Sequence, residues 1–333
     1  MNAKRIYTTQ IKQNNINLVK AALRTAGTGT KLSVSAETGL SVSTCNTLLN
    51  QLLADDELIE VPIPYNHIGR PSKAYAINPD YEHCGCILLI EKKPGRTVRG
   101  GTFNLHGEQL SNYSYETEKT DQIYVESIIQ SMLEQDPRIT TLSLGVPGIV
   151  SKTGKIYSCD IREIENWNAA AELEKKFPCR FLVENDMNAI AYGLREQSGE
   201  EESPSIAVIN LAEHVCPGCG ILVDGVVVRG KTNFAGEVSY LFPKDRRSQE
   251  IESLSDERER LHAVVKLLLP VITVVNPSRM YLMGNLVSQE LPEKVKEYCL
   301  QYIDAVHLPD FLLLQDSDGF YMHGLWSLAI GEK

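Results

Sequence analysis

At 333 residues, with 43% apolar and 23% charged residues, the chain is long enough for two or three cores and has the balance of a soluble globular protein. Its longest apolar stretch, Val264 to Val275, is broken by Lys266 and Pro270, well short of the roughly 20 residues that cross a bilayer. The net charge of −10 excludes a uniformly basic nucleic-acid binder, but residues 1–80 carry +2 and the remainder −12. Met1 to Gln13 is polar and holds Lys4, Arg5 and Lys12, unlike a secretory leader, so a cytoplasmic location is expected.

From the amino terminus, Ile16, Val19, Ala22 and Leu23 recur at helical spacing and predict a helix over Asn15 to Thr25. Met1 to Lys12 reads as a disordered arm that orders on DNA. A short second helix, Lys31 to Thr38, stops at Gly39, which tolerates the left-handed turn of a helix end. Ser41 then caps a third helix, Val42 to Ala54. Leu48, Leu49, Leu52 and Leu53 face the interior, leaving Ser43, Thr44, Asn46, Thr47 and Asn50 as a polar face suited to base edges in a major groove.

Two short strands follow, from Leu58 and from Ala74, joined by Pro64 to Lys73. That loop places Arg70 and Lys73, with His67 nearby, where a wing would touch phosphates or a minor groove. A winged helix-turn-helix binding double-stranded DNA is expected through Ser41, Ser43, Thr44, Asn46, Thr47, Arg70 and Lys73. The alternative is a protein interaction module of the same shape.

From Cys84 onward apolar runs alternate with amphipathic stretches, the pattern of an α/β domain. Three strands (Cys84 to Glu91, Arg99 to Asn104, Gln109 to Tyr115) and a helix (Ile123 to Glu134) lead to a buried strand, Thr141 to Leu144, ending in Gly145-Val-Pro-Gly148. Arg180 to Val183 runs into Glu184-Asn-Asp-Met and a helix, and Ser205 to Asn210 with Gly220 to Val228 opens a second sheet. Eight scattered cysteines are expected to be reduced. Cys216 and Cys219 have the spacing of half a zinc site, without a second pair to complete four ligands.

These segments, in this order, resemble the ROK family of repressors, open reading frames and sugar kinases. The resemblance implies a two-lobed actin-like (RNase H-like) ATPase fold with a sugar cleft, and the winged helix in front resembles the family's repressor branch. The Leu144 to Gly148 turn is similar to the sugar-edge loop. Asn185 and Asp186 match the sugar-binding amide and the carboxylate that serves as base in the kinases. Asn233-Phe-Ala-Gly-Glu237 matches the Gly-Glu pair, so the resemblance implies that Glu237 reaches a sugar hydroxyl. Val274 to Gly284 is similar to the late helix-to-strand turn.

The departures are as informative. Cys86 to Thr97 lacks the Asp, Gly-Gly and Thr of the first phosphate clamp, and Leu211 to Gly220 puts Glu213 and bulky residues in place of the second. Ser239 and Tyr240 stand where the family has its zinc-binding histidine, and Pro243 to Glu250 replaces its cysteine cluster. Glu252 is the counterpart of the acidic ligand after those cysteines. No metal, no cofactor and no catalytic residue are therefore expected.

The expected layout is a DNA-binding unit at 1–80, a first actin-like lobe at 81–190 plus 318–333, and a second lobe with a dimerisation surface at 191–317. The expected function is a repressor of carbohydrate-related genes, a homodimer or dimer of dimers, whose cleft (Gly148, Asn185, Asp186, Glu237, Tyr240, Glu252) senses a sugar effector. Two rivals stand beside it: a regulator that has lost its ligand, and a sugar kinase using Asp186 as base. Asn185 or Asp186 would equally serve as a helix cap, and Glu237 as a solvated turn residue.

Overall fold

The structure, a computed structural model, describes residues 2–62, 73–92, 95–198, 205–213 and 215–331. The chain divides into two compact units, Met1–Glu82 and His83–Lys333.

In the first unit, α1 (Asn2–Ala26), β1 (Gly29–Thr30), α2 (Lys31–Thr38) and α3 (Val42–Ala54) precede β2 (Leu58–Val61) and β3 (Ala74–Ile77). The three strands form an antiparallel sheet in the order β1-β3-β2. Ile16, Val19, Ala22 and Leu23 bury one stripe of α1 against Val34, Cys45, Leu48, Leu49 and Leu52. The ends of α2 and α3 follow local chemistry. Thr30 and Ser33 form a capping box on α2, Gly39 takes φ 70° beyond it, and Ser41 Oγ accepts the Thr44 N–H of α3. Two expectations are corrected. The chain is helical from Asn2, so Asn2 to Lys12 of the expected arm belong to α1, and β1 is a strand that the sequence did not foretell. Arg70 and His67 lie outside the described residues.

The second unit opens with β4 (His83–Lys92), β5 (Gly95–Phe103), β6 (Gln109–Thr117), α4 (Gln122–Gln135) and β7 (Ile139–Val146). A hairpin of β8 (Gly148–Val150) and β9 (Ile156–Cys159) leads to α5 (Ala169–Lys176), β10 (Arg180–Asn185) and α6 (Asp186–Ser198). Then come β11 (Ser205–Asn210), β12 (Cys219–Val223), β13 (Val226–Val227), α7 (Arg247–Glu252), α8 (Arg260–Val275), β14 (Arg279–Met283), α9 (Leu291–Cys299), β15 (Asp310–Leu313) and α10 (Asp318–Gly331).

Two five-stranded sheets result, ordered β10-β7-β4-β5-β6 and β13-β12-β11-β14-β15. They share one plan: an antiparallel meander whose first strand pairs on its other side with a parallel strand, which pairs in turn with a second parallel one. Each sheet has its own core, and a third cluster joins them. There Cys84, Cys86 and Leu88 of β4 and Ile206 and Val208 of β11 share α6 and α10 as packing partners. The two helices approach closely because Gly193 and Gly324 face each other's backbone; a Cβ at either would lie 1.9 Å from a carbonyl oxygen of the opposite helix. Among the described residues no helix is long and apolar enough to cross a membrane.

Candidate functional site

Parallel strands of open α/β sheets deliver polar residues at their carboxyl ends. Here β7 ends before Pro147 and Gly148, β10 ends at Asn185, and β11 ends at Asn210; all four residues line one cleft of about 120 Å³. Asn185 Nδ2 donates to the Gly148 carbonyl at 2.9 Å, and its Oδ1 accepts the Asn188 N–H at 3.0 Å. It thus caps α6 and ties the loop after β7 to that helix. Asp186 Oδ1 accepts the Met187 N–H at 2.8 Å. The β8–β9 hairpin adds Ser158, Cys159 and Asp160 to the lining, none of which the sequence reading singled out.

The second sheet supplies the opposite wall. Gly236 has φ +93°, and a Cβ there would sit 1.9 Å from the Cys219 carbonyl oxygen, so only glycine fits against β12 and Glu237 is aimed from a fixed point. Tyr240 stands beyond it, 45% exposed, with Phe234 edge-on at 4.8 Å and the Arg247 guanidinium 3.8 Å from its ring centre. Arg247 Nε also donates to the Ser239 carbonyl at 3.1 Å.

Electrostatics follow from the crowding of Asp160, Asp186 and Glu237. Burial, reinforced by the charges of Asp160 and Glu237 against the pull of the Met187 N–H, pushes Asp186 up to about 7. Burial and the Asp160 charge push Glu237 up to about 7 as well. Near neutral pH each carboxyl can therefore donate or accept a hydrogen bond, which is what a hydroxyl partner requires. Burial likewise pushes the Cys159 thiol up to about 12, leaving it inert.

Behind the cleft lies a buried ion pair. Glu184, 4% exposed, accepts the Asn185 N–H at 2.8 Å and Asn188 Nδ2 at 3.0 Å through Oε1, while Oε2 meets Arg229, just past the second sheet's hairpin, at 2.5 Å. A further hollow shares Pro147, Asp160, Asp186 and Asn210 with the cleft and extends to Glu91, Asp318 and Tyr321. Among its described lining residues there are four carboxylates and no Lys or Arg.

Of the expected ligand residues, Gly148, Asn185, Asp186, Glu237 and Tyr240 line the cleft together. Glu252 does not. It ends α7, five residues and about 140° around the helix from Arg247, and is exposed. Gly145, expected in a sugar-edge loop, lies within β7, where a Cβ would strike the Tyr321 ring. Cys216 is exposed on the cleft lining, whereas Cys219 is buried in β12.

The profile of the ROK family matches residues 95–249. The chain carries a ROK family domain. The xylose repressor of Bacillus subtilis (strain 168) is 22% identical over 250 residues, which are 70% of this chain and 61% of the repressor. The chain thus spans about three-fifths of the length of that relative. The β-glucoside kinase of Listeria monocytogenes is 26% identical over 150 residues, 44% of this chain and 50% of the kinase. Among solved structures, a ROK family transcriptional regulator homologous to the E. coli MLC protein superposes with a TM-score of 0.68 at 16% identity, covering 96% of each chain. The mixed α/β fold of the ROK domain is therefore shared with that regulator.

In the first unit, Ser43, Thr47 and Asn50 are exposed along α3, and Asn46 is half-buried beside them. Ser41 and Thr44 bond each other at 2.8 Å in the cap, so their hydroxyls serve the helix end. Lys73 Nζ meets Glu60 Oε1 of β2 at 2.6 Å.

Proposed function

We propose that the chain is a DNA-binding transcriptional regulator, a repressor of carbohydrate-related genes, whose ROK domain senses a sugar or sugar derivative without catalysing a reaction. The first unit acts as a winged helix-turn-helix on an operator duplex in the cytoplasm, with Ser43, Asn46 and Thr47 toward the bases and Arg70 and Lys73 toward the backbone. The working form is a homodimer or a dimer of dimers, so that two reading heads meet two half-sites and effector binding alters their spacing. The likeness to xylose repressors supports the regulator. Most support for sensing comes from the convergence of Asn185 and Asp186 from one sheet with Glu237 from the other in a single cleft.

The test is operator affinity at constant salt with and without a panel of sugars. A specific duplex whose affinity shifts with one sugar is expected; no specific duplex under any condition rejects the reading.

One observation favours a second reading, sugar phosphorylation: Asp186 near pH 7 is tuned as a general base would be. Against it, the hollow beyond Asp186 is lined by Glu91, Asp160 and Asp318, and the arginines that pair with the first and last, Arg96 and Arg99, do not line it. The Glu213 N–H, in the segment replacing the second phosphate clamp, already donates to Asn285 Oδ1 at 2.9 Å. A coupled ATPase assay that responds to sugar in the wild type and falls silent in Asp186→Asn would establish the kinase.

A further inference from the structure

We propose that the cleft takes a sugar bearing an anionic substituent, a carboxylate or a phosphate, and that Arg247 selects it. This rests on the sugar-sensing reading above and deepens it. Arg247 lines the same cleft as Asp186 and Glu237, yet among the described residues it has no carboxylate partner. Its Nε goes to the Ser239 carbonyl and its face to the Tyr240 ring, and its two terminal NH₂ groups have no partner among the described residues. A guanidinium held over an aromatic ring and by a backbone carbonyl is a planar fork available for two parallel bonds to a carboxylate or phosphate.

The cleft is thereby polarised. Asp160 acts on both Asp186 and Glu237, so three acids gather in the cleft. The cation sits over the Tyr240 ring, which is 45% exposed. A ligand that matches both ends places hydroxyls on Asn185, Asp186 and Glu237 and an anionic group at the open side by Tyr240. A neutral sugar would leave the guanidinium unanswered.

The test is calorimetric titration of the full chain with matched sets: glucose, glucuronate and glucose 6-phosphate; galactose and galacturonate; xylose. The expected result is an anionic member binding at least about tenfold tighter than its neutral parent, about 1.4 kcal/mol. Which anionic arm wins separates carboxylate from phosphate. Arg247→Gln should erase most of that preference, and Arg247→Lys should keep part of it. An unchanged thermal midpoint for the unliganded variant excludes misfolding, and the wild-type comparison needs no variant. Neutral sugars binding as tightly as the acids, or an intact preference in Arg247→Gln, would overturn the selection by Arg247. Silence toward every sugar, neutral and acidic alike, rejects the sensing reading itself and this inference with it.

Discussion

Arg229, just past the hairpin of the second sheet, is bonded at 2.5 Å to Glu184 at the end of β10 in the first. Glu184 in turn holds the Asn185 N–H and the Asn188 amide, so the ion pair links the two sheets through the residues that frame the cleft. Arg229→Gln removes the positive partner of a carboxylate that is 4% exposed. The expected loss of stability is on the order of 3 kcal/mol, read from denaturant midpoints. Adding Glu184→Gln should restore part of it, because two neutral amides bury more cheaply than one lone charge. A single variant no less stable than wild type would show that the pair does not hold the sheets.

Stability should depend on pH through the cleft acids. The folded values of Asp186 and Glu237, about 7, exceed the ordinary 3.8 and 4.5. Between those limits the folded protein keeps protons that the unfolded chain has released, so stability is highest at the acid end of this window and falls as pH rises toward 7. Each fully titrating proton corresponds to a slope of about 1.4 kcal/mol per pH unit. Asp186→Asn with Glu237→Gln should flatten the slope measured by denaturation at pH 5, 6 and 7; an unchanged slope would place the acids in water.

Gly236→Ala should be among the most harmful small changes in the second unit. The site combines φ +93° with a Cβ 1.9 Å from a backbone oxygen, and backbone of β12 cannot yield as a side chain would. A loss of about 2–3 kcal/mol is expected from strain alone, together with weakened sugar affinity, since Glu237 moves with its neighbour. Wild-type stability and affinity in this variant would count against the placement of Glu237.

On α3, reading and folding roles should separate. Asn46→Ala and Thr47→Ala are expected to cost about 1–3 kcal/mol of operator affinity and to relax base preference. Ser41→Ala removes a cap and should cost about 1 kcal/mol of stability in the first unit. Fluorescence anisotropy on specific and scrambled duplexes, beside thermal unfolding, distinguishes them. If the Asn46 and Thr47 variants discriminate duplexes like the wild type, α3 does not lie against the bases.

What the sequence made legible was what local chemistry decides. Gly39 and Ser41 mark the ends of α2 and α3 because caps act within one turn, and the stripe of Ile16, Val19 and Leu23 is a periodicity within one helix. The resemblance added Asn185, Asp186 and Glu237, which do share a cleft. Residues that depend on chain pairing stayed hidden. β1 is two residues long and exists only because β3 binds it. Asp160 enters the site on a hairpin with no chemical signature of its own, and Arg229 and Arg247 look like any surface arginines until the sheets converge. Glu252 failed for the converse reason. Its place in a lost cysteine motif said nothing about the helix that now carries it, and helical rotation turns it away from the wall where Arg247 sits.

The crossing of α6 and α10 has a mechanical consequence. At Gly193 and Gly324 main chain rests on main chain, with no side chain between them to compress or change rotamer. Such a bearing resists sliding yet permits small swivels, so a molecule wedged between Glu237 and Asp186 would turn the halves about this point. A single methyl at either glycine would act like grit in the hinge, prying the jaws to a new resting angle even with nothing bound.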